Sequence, residues 1–188
     1  HVRICERLGY TVPRSTRLLI TPKTAQSAGQ LMKRLGQRYV QYINRTYRRT
    51  GTLWEGRFRS CLVKEESYVL GCYRYIELNP VRAMMVAHPA EYPWTSYRTN
   101  AQGEASDFIK PHLVYKSLGL TVDDRVSAYR GLFNDRLDLK LVNEIRQATK
   151  GNYALGSEGF RKEVEAALGR RASPGLLGRP HKMGSDPV

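Results

Sequence analysis

The chain has 188 residues and carries 31 Lys and Arg against 17 Asp and Glu, a net charge of +14. That length suits one domain of ordinary size plus a smaller appendage, and 41% hydrophobic residues suffice for a core. No apolar run approaches the roughly 18 residues of a membrane span, and no apolar signal region opens the chain.

Cys5, Cys61 and Cys72 are too few and too scattered for a zinc site or a disulfide framework, which points to a reducing cytoplasm. The first residue is His rather than Met, so the sequence reads as a fragment or a trimmed chain. A positive field of this size favours polyanions, nucleic acid ahead of an acidic membrane. The charge is uneven: residues 1–99 hold 17 basic against 6 acidic side chains, and residues 33–64 hold nine against Glu55 alone. An anionic partner is therefore expected on the first half.

In chain order, residues 3–9 read as the end of a helix. TRLLI (16–20) is a short strand stopped by Thr21-Pro22. Thr24 is a candidate N-cap for a long helix to about Tyr47, broken by Thr50-Gly51. RFRSCLV (57–63) alternates as a half-buried strand does. A second helix is expected from about Glu65 to Asn79-Pro80, because the residue before proline is biased out of the helical region. A short helical turn follows to Val86, then the aromatic turn EYPWTSYR. Trp54, Phe58 and Trp94 are expected to be core or interface aromatics.

The small polar stretch 100–107 reads as a linker. Helical patterns follow at about 123–134, 138–149 and 157–169, and the Pro/Gly-rich basic tail 171–188 reads as disordered. The division is thus 1–99, linker 100–107, helical region 108–170 and tail. The last two helical patterns are compatible with a helix-turn-helix, but Glu158, Glu163 and Glu165 would repel phosphate, so packing against the first domain is the preferred role.

Two helices carry candidate chemistry. On the first, Arg34, Arg38, Arg45 and Arg49 fall within about 60° on a helical wheel. Ala28, Leu31, Met32, Leu35, Tyr39, Tyr42 and Ile43 cover the adjoining arc as an inward stripe. Residues 24–54 contain no Asp or Glu, whereas a merely solvated face usually mixes signs. A guanidinium row of this kind can follow a phosphate backbone. The DNA-contact set is Lys33, Arg34, Arg38, Arg45, Arg48, Arg49, Arg57, Arg59 and Arg82. On the second helix, Tyr68, Cys72, Tyr75 and Asn79 share a face, and Tyr75 and Asn79 are i,i+4 neighbours. A tyrosine can act as a covalent nucleophile, and an amide oxygen can ligate a hard metal. By spacing alone, the same pair describes a core aromatic and a helix end.

YVQYINRTYRRTGTLWEGRFRSCLV (39–63), YVLGCYRYIELNPVRAMMV (68–86) and YPWTSYR (92–98) resemble the REP-associated tyrosine transposases, bacterial relatives of the HUH-type insertion-sequence transposases. The resemblance covers nearly all of residues 3–99. It implies an α+β fold with a ferredoxin-like or RRM-like domain. It also implies DNA strand cleavage and joining through a phosphotyrosine, with Mg²⁺ or Mn²⁺ held by a His-hydrophobic-His pair and a polar side chain.

Carried over, the nucleophile is Tyr75 and the third metal ligand is Asn79. The histidine pair is missing, its positions falling on Ser15 and Arg17. The four histidines, His1, His88, His112 and His181, form no such pair. The seven residues between Tyr10 and Leu18 read as too few for the expected β-hairpin, and a first strand upstream is absent. The expectation is a protein that binds single-stranded or hairpin DNA without cutting it. The alternatives are an active single-strand endonuclease and transposase, or an RRM-like RNA binder that stacks bases on sheet aromatics such as Phe58.

Overall fold

The structure, a computed structural model, describes residues 2–7, 16–54, 56–64 and 66–175. The expected tail beyond residue 175 lies outside the described residues, as does Ser15. The fold is α+β. Four strands, β1 (Val2–Arg7), β2 (Thr16–Ile20), β3 (Arg59–Val63) and β4 (Ala154–Leu155), form one sheet in the order β2-β1-β3-β4.

The segment expected to end a helix is a strand. β1 pairs antiparallel with β2, Arg3 opposite Ile20 and Arg7 opposite Thr16, and with β3 on its other side, Val2 opposite Val63. The hairpin that seemed too short is therefore present, because the supposed helix end supplies its first strand. Sequence order VRICER alternates in period 2 through Val2 and Ile4, and ladder pairing on both edges secures the extended form over a helix.

Alternation sorts the sheet's side chains onto two faces. Leu18, Ile20 and Phe58 pack under α1 (Ser27–Thr46) against Ala28 and Met32. Helix α1 starts later than expected. Thr24 does not cap it but hydrogen-bonds Ser27, its hydroxyl 2.9 Å from Ser27 Oγ, and the cap position falls to Gln26 without a side-chain bond. The helix packs less of itself than its pattern suggests. Ala28, Met32 and Gly36 are buried, but Leu31 and Leu35 are 43% and 45% exposed, and Tyr42 is 64% exposed. Among the described side chains, Leu18, Ile20 and Phe58 meet the buried positions, and Leu31, Leu35 and Tyr42 face solvent.

On the opposite face, Cys61 and Val63 of β3 and Leu155 of β4 meet Val69, Cys72 and Tyr75 of α2 (Glu66–Glu77) and Val142, Ile145 and Ala148 of α7 (Leu139–Gly151). Helix α2 runs on into α3 (Asn79–Arg82) after Leu78. Tyr97 and Ala101 of α4 (Tyr97–Gln102) join Tyr115 of α5 (Leu113–Lys116) and Tyr129 of α6 (Val122–Gly131) in an aromatic cluster. The stretch expected to be a linker thus begins inside a helix, with Asn100 and Ala101 buried. Trp94 is 82% exposed, not a core residue: the 3-10 turn at Pro89–Glu91 directs Tyr97, rather than Trp94, inward.

The C-terminal helices follow the sequence pattern closely, because each carries its own stop and start signals. Thr121 and Asp124 make a reciprocal capping box on α6, at 3.1 and 3.0 Å. Asp138 caps α7, and Asn152 ends it in the left-handed region. Ser157 caps α8 (Glu158–Leu168), and Gly169 ends it. These helices pack against the first half, as preferred from the sequence. β4 adds a parallel strand to β3, with Leu62 opposite Ala154, and α8 seats Phe160 and Val164 against Ala154 and Leu62.

Candidate nucleic-acid interface

Helix α1 holds an exposed basic face. Lys33, Arg34, Arg38 and Arg45 are exposed, as is Arg48 just beyond the helix and Arg57 before β3, while Arg49 is half-buried. Two side chains of the expected contact set also bond backbone carbonyls of the protein. Arg59 Nη1 donates to Lys150 O at 3.1 Å, and Arg82 Nη2 donates to Tyr75 O at 2.9 Å. Among the described residues, the ion pairs are Lys64–Glu163 at 2.8 Å and Lys162–Glu158 at 2.9 Å, neither on α1. The exposed stripe of Leu31, Leu35, Tyr39 and Tyr42 borders the arginine row, so one face combines cations with apolar and aromatic surface.

The expected nucleophile site is arranged differently from a metal-assisted one. Tyr75 is 2% exposed. The Arg82 guanidinium lies 4.2 Å from the centre of its ring and that of Arg17 5.3 Å. Asn79 and Tyr75 do come together, but through Arg82, which reaches Asn79 Oδ1 at 3.5 Å. Burial lowers the Arg82 pKa; Tyr75 opposes this, and the positive charges of Arg146 and Arg17 add to it.

Two guanidinium groups thus lie against the Tyr75 ring, and a divalent cation beside them would meet repulsion. Among the described residues, no three His, Cys, Asp or Glu side chains cluster as a metal-ligand set. The two described histidines have local roles: His88 Nδ1 accepts from Ala90 N and His112 Nδ1 from Val114 N, each capping a helical turn. The residues present do not fit the metal centre that the resemblance implies.

No family model matches the chain, and no curated protein or solved structure is found to match it.

Two features lay beyond sequence reasoning, the first being which element Trp54, expected as a core or interface aromatic, packs against. Trp54 leans over α1: its Nε1 donates to Gly36 O at 3.3 Å, and its ring centre lies 5.7 Å from that of Tyr39. The glycine in a helix facing the GTLW segment was the available signal. The second is Glu77, two residues beyond Tyr75 and fully buried. Its Oε1 accepts from Ser96 Oγ at 2.5 Å and Asn100 Nδ2 at 2.8 Å, and its Oε2 accepts from Tyr129 Oη at 2.7 Å. Burial pushes its carboxyl up to about 7, although all three hydrogen bonds pull the other way. Glu77 is locked away from solvent and ties the tyrosine helix to α4 and α6. Phe58, the one candidate for base stacking on an open sheet, is turned into the contact with α1. Among the described residues no helix is long and apolar enough to cross a membrane.

Proposed function

We propose that this chain binds single-stranded or hairpin DNA along the basic face of α1, as a cytoplasmic protein similar to the REP-associated tyrosine transposases, without their metal-assisted strand cleavage. The observation that carries the reading is the row Arg34, Arg38 and Arg45, exposed along α1, with the described ion pairs elsewhere. Holding like charges in a row costs free energy in the free protein, and phosphates spaced along a strand relieve it. A reduced ferredoxin-like or RRM-like domain in the first half is part of the same proposal, supported by the family-like phrases of residues 39–63 and 68–86.

The loss of cleavage follows from chemistry. Attack by a tyrosine needs its hydroxyl in line with a phosphodiester and its proton removed, and the family uses a divalent metal to favour both the phenolate and the phosphorane charge. Here Tyr75 is buried, Arg17 stands where a histidine is expected, and Asn79 bonds Arg82. The guanidinium groups can hold a phosphate but offer no open metal position. The deciding experiment measures binding and covalent adduct formation on one hairpin-flanked oligonucleotide with Mg²⁺ or Mn²⁺. Salt-sensitive binding without adduct is expected. A metal-dependent adduct abolished by Tyr75→Phe would instead establish a working transposase, and absence of binding would sink the DNA reading.

A further inference from the structure

We infer that the cavity between α1 and residues 51–54 and 57–58 takes one unpaired nucleotide, base and phosphate together. This rests on the DNA-binding reading above and adds to it a defined pocket for a single-stranded unit. The cavity measures about 710 Å³ and is lined by Lys33, Gln37, Gln41, Trp54, Arg57 and Phe58, among others, within the roughly 300–1,000 Å³ usual for small-ligand sites.

Each part of a nucleotide has a counterpart in that lining. Trp54 supplies flat apolar surface for a base face, with the exposed part of half-buried Phe58 in the wall beside it, and base–aromatic stacking tolerates any base. Gln37 and Gln41 are exposed and one helical turn apart. Each amide carries both a donor and an acceptor, as the edge of a base does. Lys33 and Arg57, both exposed, supply the cations for the attached phosphate. An acidic peptide would use the two cations but, as a run of carboxylates, would leave the aromatic wall without a flat partner. On the helical wheel, Gln37 and Gln41 adjoin the row of Arg34, Arg38 and Arg45, so a strand followed by the arginines arrives at the cavity.

The pocket is also built in advance. Asn44 Nδ2 donates to Gly51 O at 2.9 Å, and Thr52 Oγ1 accepts from Trp54 N at 3.0 Å. Gly51 sits at φ +89°, a conformation that side-chain-bearing residues rarely adopt. With the Trp54–Gly36 bond, these contacts fix the indole before a ligand arrives, which lowers the ordering cost of binding.

The test uses the full chain carrying Trp94→Phe, which removes the exposed second tryptophan so that fluorescence reports Trp54. The probes are a twelve-nucleotide oligo-dT, a fully paired duplex of the same length and an oligo-glutamate, all at one salt concentration. Oligo-dT is expected to quench Trp54, and the duplex to bind without quenching. Trp54→Ala is expected to weaken oligo-dT binding by about 5- to 150-fold with duplex affinity unchanged. Gln37→Leu with Gln41→Leu, on exposed positions that do not support the core, is expected to weaken oligo-dT selectively as well.

If both sets of variants bind oligo-dT like the parent while DNA binding persists, the pocket is wrong and the broader reading stands. If neither nucleic acid binds, both fall. Quenching by oligo-glutamate equal to that by oligo-dT would overturn the nucleotide in favour of an acidic peptide.

Discussion

Replacing Glu77 by Gln tests the electrostatics at the centre of the molecule. The carboxyl sits in full burial with three donors around it, yet desolvation outweighs them and raises it from an ordinary 4.5 to about 7. A raised carboxyl pKa means that the folded state holds its proton more tightly than the unfolded chain does. Stability from this group therefore falls as pH rises from about 4.5 to about 7 and stays low above that. The shift corresponds to a loss of roughly 3 kcal/mol, an order-of-magnitude figure. Gln keeps the shape and stays neutral. Its oxygen can accept from Ser96 and Asn100, and its amide can donate to Tyr129 Oη, which must then turn its own proton elsewhere, offsetting about 1 kcal/mol. The variant should thus be weaker than the parent by about 1 kcal/mol near pH 4.5 and more stable by about 2 kcal/mol at pH 8. Urea unfolding at half-unit steps of pH between 4.5 and 8.5 reads this directly as a difference that changes sign with pH. A gap of constant size across the range would show that Glu77 does not titrate there, and a variant weaker at pH 8 would show that the three hydrogen bonds outweigh burial.

Changing Arg34, Arg38 and Arg45 together to Ala should flatten the salt dependence of single-strand binding by about 0.7 log units per lost phosphate contact per decade; an unchanged slope in a salt titration would remove α1 from the interface. Tyr75→Phe should leave DNA affinity unchanged, since a buried ring between guanidinium groups serves packing here, and gel analysis should show no adduct in either protein. Ile145→Ala should cost roughly 2–5 kcal/mol by chemical denaturation, because that side chain is fully buried between the sheet and α2. Phe58→Ala should cost less than the 3–5 kcal/mol typical of a fully buried ring, because Phe58 is only half-buried. Ending the chain at residue 107 should abolish the cooperative unfolding transition, since it removes Ile145, Leu155 and the Tyr129 partner of Glu77 at once.

The elements that sequence patterns disclosed are those with local signals. β2, β3 and the capped helices α6, α7 and α8 carry their alternation, N-caps and terminal Gly or Asn within a few residues. β1 was hidden because its six residues are held extended by pairing on both sides, which a local window does not contain. The apolar stripe of α1 was visible, but which of its residues are covered, Ala28, Met32 and Gly36, required the fold. Arg17 could be aligned with a missing histidine, yet its position on the Tyr75 ring, with Arg82 on the same ring, required the fold. Glu77 gave no sign of burial, since its three donors come from residues 96, 100 and 129.

The two-residue strand β4 imposes an order on biosynthesis. Leu62 waits for Ala154, and at about 5–20 residues per second on the ribosome the wait is roughly 5–20 s. For that interval β3 has an unpaired edge carrying Cys61, Leu62 and Val63, a short apolar template for another chain. The nascent first half is therefore the stage at which this protein is most prone to aggregate, and the stage at which a chaperone would have the most to shield.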